Sequence, residues 1–201
     1  MRTAGVVLCG GESSRMGRPK AWLPFGDEPM LPRVVRVLSE VVSPIVVVAA
    51  PGQELPPLPG DVILAHDSEG GRGPLQGLAA GLAAMPSFFD AAFVTSCDVP
   101  FLRPAFVRRM IELLGPHAAC VPRVGGFLHP LAAVYRREVA AVAEKLLKAD
   151  QPRLTLLFDA VPTHVVTADQ LAEVDPDLRS LRNVNTSAEY AAALRDLAAG
   201  G

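Results

Sequence analysis

Four short apolar runs constrain this chain most: TAGVVLC (3–9), IVVVAA (45–50), DVILAH (61–66) and AAFVTS (91–96). Each is too short for a buried helix, and most are rich in β-branched residues. Each stops at or one residue before a glycine, proline or charged residue, the pattern of a strand covered on both faces. Between the runs the spacing changes to the helical period. Apolar residues at 30, 31, 34, 35, 37, 38 and 41 make one broad face from Met30 to Val41. Leu75, Leu78, Ala79 and Leu82 fall at i, i+3, i+4 and i+7. Residues 105–114, 139–147 and 187–197 read as further helices, and HAACVP and LAAVY as further strands. Strand and helix in alternation predict a three-layer, doubly wound α/β fold with a mainly parallel sheet, Rossmann-like in plan. With 201 residues, half of them hydrophobic, the expectation is a single domain over 1–201 with a substantial core.

Composition removes several classes of function. A net charge of -2 argues against a broad nucleic-acid surface, so any positive charge used for binding is local. The longest apolar runs are far too short to span a membrane. No basic n-region followed by an apolar h-region precedes the first strand. Three widely spaced cysteines, Cys9, Cys97 and Cys120, fit a reducing compartment better than a disulfide framework. The expected location is cytoplasmic.

In sheets of this kind ligands bind outside the carboxyl ends of the strands. The first run ends in LCGGESSRMGRPK, residues 8–20. Its glycines and basic residues point to an anion, yet it is neither a Walker loop nor a dinucleotide fingerprint. Gly10 and Gly11 allow close backbone approach, successive N–H groups can form an anion-binding concavity, and Arg15 and Lys20 add charge where phosphates would sit. The alternative is a glycine turn with solvated basic residues. The third run ends at Asp67, before a second glycine-rich loop and a helix start near Pro74. A nucleotide could lie between the two loops, or the second could be a surface loop that caps its helix. The fourth ends at Asp98. A carboxylate directly after a buried strand is either a ligand for a cation such as Mg²⁺ or a cap for the helix that follows. His129, in GGFLHPLAAVY, could be a ligand, a base or a packed residue. Asn183 and Asn185 lie two apart and would face one side of an extended segment, or they form a turn or cap the last helix. Cys9 and Cys97 end neighbouring strands and read as small buried hydrophobes, not a metal pair.

Together these stretches resemble the molybdenum cofactor guanylyltransferase group of nucleotidyltransferases. VVLCGGESSRMGRPK resembles its L-x-G-G-x-S-x-R-M-G-x-x-K signature. GPLQGL (73–78), CDVPF (97–101), LHPLAAVY (128–135) and NVNT (183–186) are similar to four further segments in the family's order. The resemblance spans nearly the whole chain. It implies transfer of GMP from GTP to molybdopterin or its molybdenum form, with Mg²⁺ as cofactor and pyrophosphate as leaving group. It also implies site roles. Leu8, Cys9, Gly10, Gly11, Asp67 and Gly73 would hold the nucleotide. Arg15 and Lys20 would hold its phosphates and, with Asp98, carry catalysis, Asp98 also holding the metal. His129, Arg153, Asn183 and Asn185 would lie toward the pterin. Proteins that deliver the cofactor or accept the product would be partners. The sequence departs from the family where Ala49-Ala50-Pro51 replaces an asparagine that helps read the base, and where Pro19 replaces an aspartate. The rival expectations are a cytidylyl- or sugar-phosphate nucleotidyltransferase on the same scaffold, and a non-catalytic nucleotide-binding adaptor.

Overall fold

The computed structural model describes residues 1–10, 19–67 and 72–200; Gly11 and Arg15 lie outside the described residues. In chain order the strands and helices are β1 (Thr3–Leu8), β2 (Pro24–Phe25), β3 (Glu28–Pro29), α1 (Met30–Ser39), β4 (Ile45–Ala49), β5 (Ile63–His66), α2 (Pro74–Ala84), β6 (Ala91–Ser96), α3 (Pro104–Leu113), β7 (Ala119–Val124), β8 (Phe127–Leu128), β9 (Ala132–Arg136), α4 (Val139–Lys148), α5 (Leu157–Ala160), β10 (Thr163–Thr167), α6 (Ala168–Leu171) and α7 (Ser187–Ala198). The main sheet has the order β10-β7-β9-β6-β1-β4-β5, with β8 added to β7, and β2 and β3 form a separate ribbon. β6, β1, β4 and β5 run parallel, as do β7 and β10. β9 is inserted antiparallel between β6 and β7.

Both faces of the sheet are covered, as the apolar runs require. Val7, Val47 and Phe93 pack under α1 and α3 with Leu31, Phe106 and Met110. Val6, Val48 and Val94 face the other way, against Leu75 and Leu82 of α2 and Leu147 and Leu157 beyond. Alternate residues of one strand thus feed opposite layers. The α2 layer lies close on the sheet because Gly81 has no Cβ; one would sit 2.5 Å from Val6 Cγ1. A third, smaller cluster joins Phe25 and Met30 to Phe101, Val184 and Ala193 and ties α7 to the body. Among the described residues no helix is long and apolar enough to cross a membrane.

One expectation needs correction. DVILAH is not a buried strand. β5 is the sheet's edge, its residues alternate between half-buried and exposed, and Leu64 is 57% exposed. LAAVY forms a strand as expected, β9, which runs antiparallel to both its neighbours in an otherwise parallel sheet core. β10 and the β2–β3 ribbon were not expected at all.

Candidate active site

The carboxyl ends of β1, β4 and β6 and the N-terminus of α2 surround a cavity of about 450 Å³. Of the residues singled out in the sequence, Leu8, Cys9, Gly10, Lys20, Asp67, Gly73, Asp98, Asn183 and Asn185 all line it. Sequence positions from 8 to 185 meet here because three parallel strands end at one edge of the sheet.

Asp98 is the best-held group. Its residue is 6% exposed. Ser96 Oγ donates to Oδ1 at 2.5 Å, and Asn183 Nδ2 donates to the same oxygen at 2.9 Å. Lys20 Nζ donates to Oδ2 at 2.7 Å. The Asp98 carbonyl accepts from Val184 N–H at 2.9 Å, which pins the 183–185 segment beside it. Burial of a carboxylate is costly unless it is paired, and this one is paired on both oxygens. Asp98 caps no helix, since α3 begins six residues later, at Pro104, with Arg103 before it.

Lys20 opens a single 3₁₀ turn, Lys20–Trp22, behind Pro19. Its ammonium also donates to Asn185 Oδ1 at 2.7 Å. A cation therefore already lies between two oxygens, one from the turn after β6 and one from the segment before α7. The position of Asn185 is set by a capping box. Thr186 accepts from Glu189 N–H at 3.2 Å, and Glu189 Oε2 accepts from Asn185 N–H at 2.7 Å and from Thr186 N–H at 2.9 Å. The Asn185 N–H is the chief reason the Glu189 carboxyl titrates below its ordinary value. Thr186, not either asparagine, caps the last helix.

Across the cavity the wall is of a different kind. Gly10 follows β1, and a Cβ there would sit 3.6 Å from Ala50 N and from Asp67 Oδ2. Asp67 Oδ1 is buried, and among the described residues it has no hydrogen-bond partner. An orphaned buried acceptor in a cavity wall suits a ligand hydroxyl or N–H. Gly73 has φ 76°, which favours glycine, and directly precedes α2, with Pro74 as its first residue. Cys9 and Cys97 are both buried. A hydrogen bond with Cys9, then burial, pushes the Cys97 thiol well above its usual value, so it is a neutral thiol.

His129 lies in a second cavity of about 260 Å³, with Leu128, Pro130 and Ser180. Pro74, Leu131 and Asn183 line both cavities, so the two adjoin. Burial lowers the His129 pKa below 6.5, which leaves a neutral imidazole near neutral pH. Asn185 is on the Lys20 side and lines only the first of these two cavities. Arg153 is exposed before the Leu154–Leu156 turn and lines neither. Two residues escaped the sequence reading. Ser96 was within reach of it, since i and i+2 at a strand end face one side. Gln53, whose side-chain amide bonds Ala50 N–H and the Cys9 carbonyl behind the first cavity, was not, since nothing in PGQELPP marks it.

The sequence model of one family, described as MobA-like NTP transferase domain, matches residues 5–165. A probable molybdenum cofactor guanylyltransferase of Mycobacterium avium is 38% identical over 196 residues, covering 96% of this chain and 95% of its own. One from Mycobacterium tuberculosis is 39% identical over 192 residues, covering 92% and 90%. Among solved structures, the molybdopterin-guanine dinucleotide biosynthesis protein A of Archaeoglobus fulgidus superposes with a TM-score of 0.80 at 20% identity, over 99% of this chain and 100% of that one. The 2-C-methyl-D-erythritol 4-phosphate cytidylyltransferase of Thermus thermophilus has a TM-score of 0.72 at 16% identity, over 98% and 100%. These two share the fold with this chain.

Proposed function

The chain belongs to the MobA-like NTP transferase family and is a nucleotidyltransferase, and from that premise we propose that it transfers GMP from GTP to molybdopterin, releasing pyrophosphate. The observation that carries this reading is the convergence of Lys20, Asp98 and Asn185 on one point of the main cavity, which adjoins a second, mostly apolar cavity. A nucleotide fits the first and an aromatic acceptor the second. The names of the relatives support molybdopterin as that acceptor.

Transfer of a nucleotidyl group asks for positioning and neutralised charge more than for covalent help. Gly10 and the start of α2 offer close backbone approach and N–H groups to phosphates. Asp67 Oδ1 accepts from the nucleoside. Lys20 leaves Asp98 and Asn185 to neutralise the charge that builds as the pyrophosphate departs. His129, held neutral, offers a hydrogen bond to the acceptor without adding charge. Mg²⁺ fits this donor set, because Asp98 and Asn185 present two hard oxygens to a spot that already holds a cation. Once bound there it would neutralise and orient the phosphates.

The test is pyrophosphate release with Mg²⁺, molybdopterin and each of the four nucleoside triphosphates. GTP is expected to be used best. Preference for CTP would replace this reading with the cytidylyl one, which the side-chain-poor Ala49-Ala50-Pro51 end of β4 leaves chemically open. No release with any triphosphate would favour the adaptor.

A further inference from the structure

The ends of β1 and β4 are parted by one side chain. These strands pair in parallel, Leu8 opposite Val48. Cys9 N–H donates to Val48 O at 2.8 Å. In such a ladder the next rung is Ala50 N–H to Cys9 O. Gln53 occupies that rung instead. Its Oε1 accepts from Ala50 N–H at 3.0 Å, and its Nε2 donates to Cys9 O at 3.1 Å. Its own N–H donates to Ala50 O at 3.1 Å, which fixes the amide in place. On either side the sheet continues without such an insert: Cys97 N–H reaches Leu8 O at 3.1 Å, and Asp67 N–H reaches Ala49 O at 3.3 Å. β4 thus stays joined to β5, and β1 to β6, while β1 and β4 separate at their tips.

The gap opens where the nucleoside would lie. Gly10 follows directly on Cys9, and its missing Cβ faces Ala50 N and Asp67 Oδ2 at the same 3.6 Å. Ala49, Ala50 and Pro51 have no side-chain amide or hydroxyl with which to read a base. Discrimination there rests on backbone groups and on slot width, both set by Gln53. We infer that Gln53 is a positioning residue that holds β1 and β4 apart and so sets the width and selectivity of the nucleoside slot. This deepens the proposed function, since it assumes a nucleoside triphosphate in the main cavity.

The test compares Gln53→Met, which keeps length and volume but lacks hydrogen-bonding groups, with Gln53→Glu. The latter keeps the acceptor for Ala50 N–H but sets a carboxylate against the Cys9 carbonyl. Affinities of all four Mg²⁺–nucleoside triphosphates are measured by calorimetry, kcat and KM by pyrophosphate release, and folding by thermal melting. Both variants are expected to weaken binding of the preferred triphosphate about tenfold, the scale of one hydrogen-bonded anchor, and to narrow its margin over the others. The kcat and the acceptor KM should stay within about twofold of wild type. Gln53→Glu keeps the test open should Gln53→Met fail to fold. Unchanged affinity and margin with a lowered melting temperature would reduce Gln53 to a loop staple and overturn the inference. So would a fall in kcat at constant KM. The reference is whichever triphosphate the wild type prefers. A wild type that prefers CTP would defeat the guanylyl reading, while the Gln53 comparison would still be decided on CTP.

Discussion

The two walls of the main cavity are built on opposite plans. On the side formed by the ends of β1, β4 and β5 the wall is backbone, a glycine without a Cβ, and a carboxylate oxygen at Asp67 that has no hydrogen-bond partner among the described residues. On the β6 side the wall is a closed network in which Ser96, Asn183 and Lys20 saturate Asp98, and Asn185 shares the ammonium. The first wall is open to a ligand's hydrogen bonds; in the second the hydrogen bonds are already made within the protein. Open groups define what can bind, and a saturated network defines where charge is held. Changes on the first wall should therefore alter KM and selectivity, and changes on the second should alter kcat.

The sharpest way to break this contrast is Asp98→Asn. The amide keeps the shape but loses the charge and turns an acceptor toward a donor. We expect kcat to fall by at least about three powers of ten with a native melting profile, the upper end for loss of one preorganised electrostatic group. Activity within a few-fold of wild type would remove Asp98 from the charge-holding wall. Lys20→Ala comes next, with an expected loss of about two to three powers of ten in kcat. Steady-state kinetics decide it, because a rise in KM at constant kcat would mean that Lys20 binds ground and transition states equally. Asn183→Ala touches both cavities. About a tenfold loss in kcat, from a loosened Asp98, should accompany a raised acceptor KM with the nucleotide KM near wild type. An effect on the nucleotide KM alone would shift Asn183 to the other wall.

The smallest effect concerns pH and His129. Its folded pKa lies below 6.5 because of burial. As pH falls through 6.5 the unfolded imidazole takes up its proton before the folded one does. Stability is therefore full above 6.5 and declines as pH falls toward the folded value. Urea melts between neutral pH and about pH 5 should show a shallower decline in His129→Gln than in wild type. Equal slopes would mean that the half-buried ring is solvated well enough to titrate normally.

Much of this was legible in the residues, and the limits have physical causes. β1, β4 and β6 were readable because burial on both faces leaves an uninterrupted apolar run. β5 was misjudged because DVILAH looks equally apolar, and sequence does not show that one strand has no outer neighbour. β10 hid because THVVT is an edge strand with polar ends, where few residues need be apolar. The direction of β9 was invisible, since strand patterns carry no sign. That direction matters. In an antiparallel strand the preceding residues, His129 to Leu131, reach the edge where its parallel neighbours end. Of the site, Asp67, Asp98 and Gly10 followed from position at strand ends. The reach of Lys20 to Asn185 did not, because it joins positions 165 residues apart through a side-chain contact. Arg153 entered on resemblance alone, and the structure leaves it outside both cavities.

The central place of β1 also has a consequence in time. It is the first strand of the sheet to be synthesised, and its neighbours begin only at Ile45 and Ala91. At ribosomal rates the second of these follows on the order of ten seconds after the first strand is made. Through that interval an apolar AGVVL segment waits with at least one edge unpaired, the condition in which nascent chains meet chaperones or one another. In the folded sheet the amino ends of β1 and β6 are tied where Asp90 N–H and Ala91 N–H both reach Arg2 O and Arg2 N–H reaches the Asp90 carboxylate. The strand that leads into the cavity is thus the first made and waits for β6 before both its edges are paired, so this wall of the cavity forms only once the chain has passed Ser96.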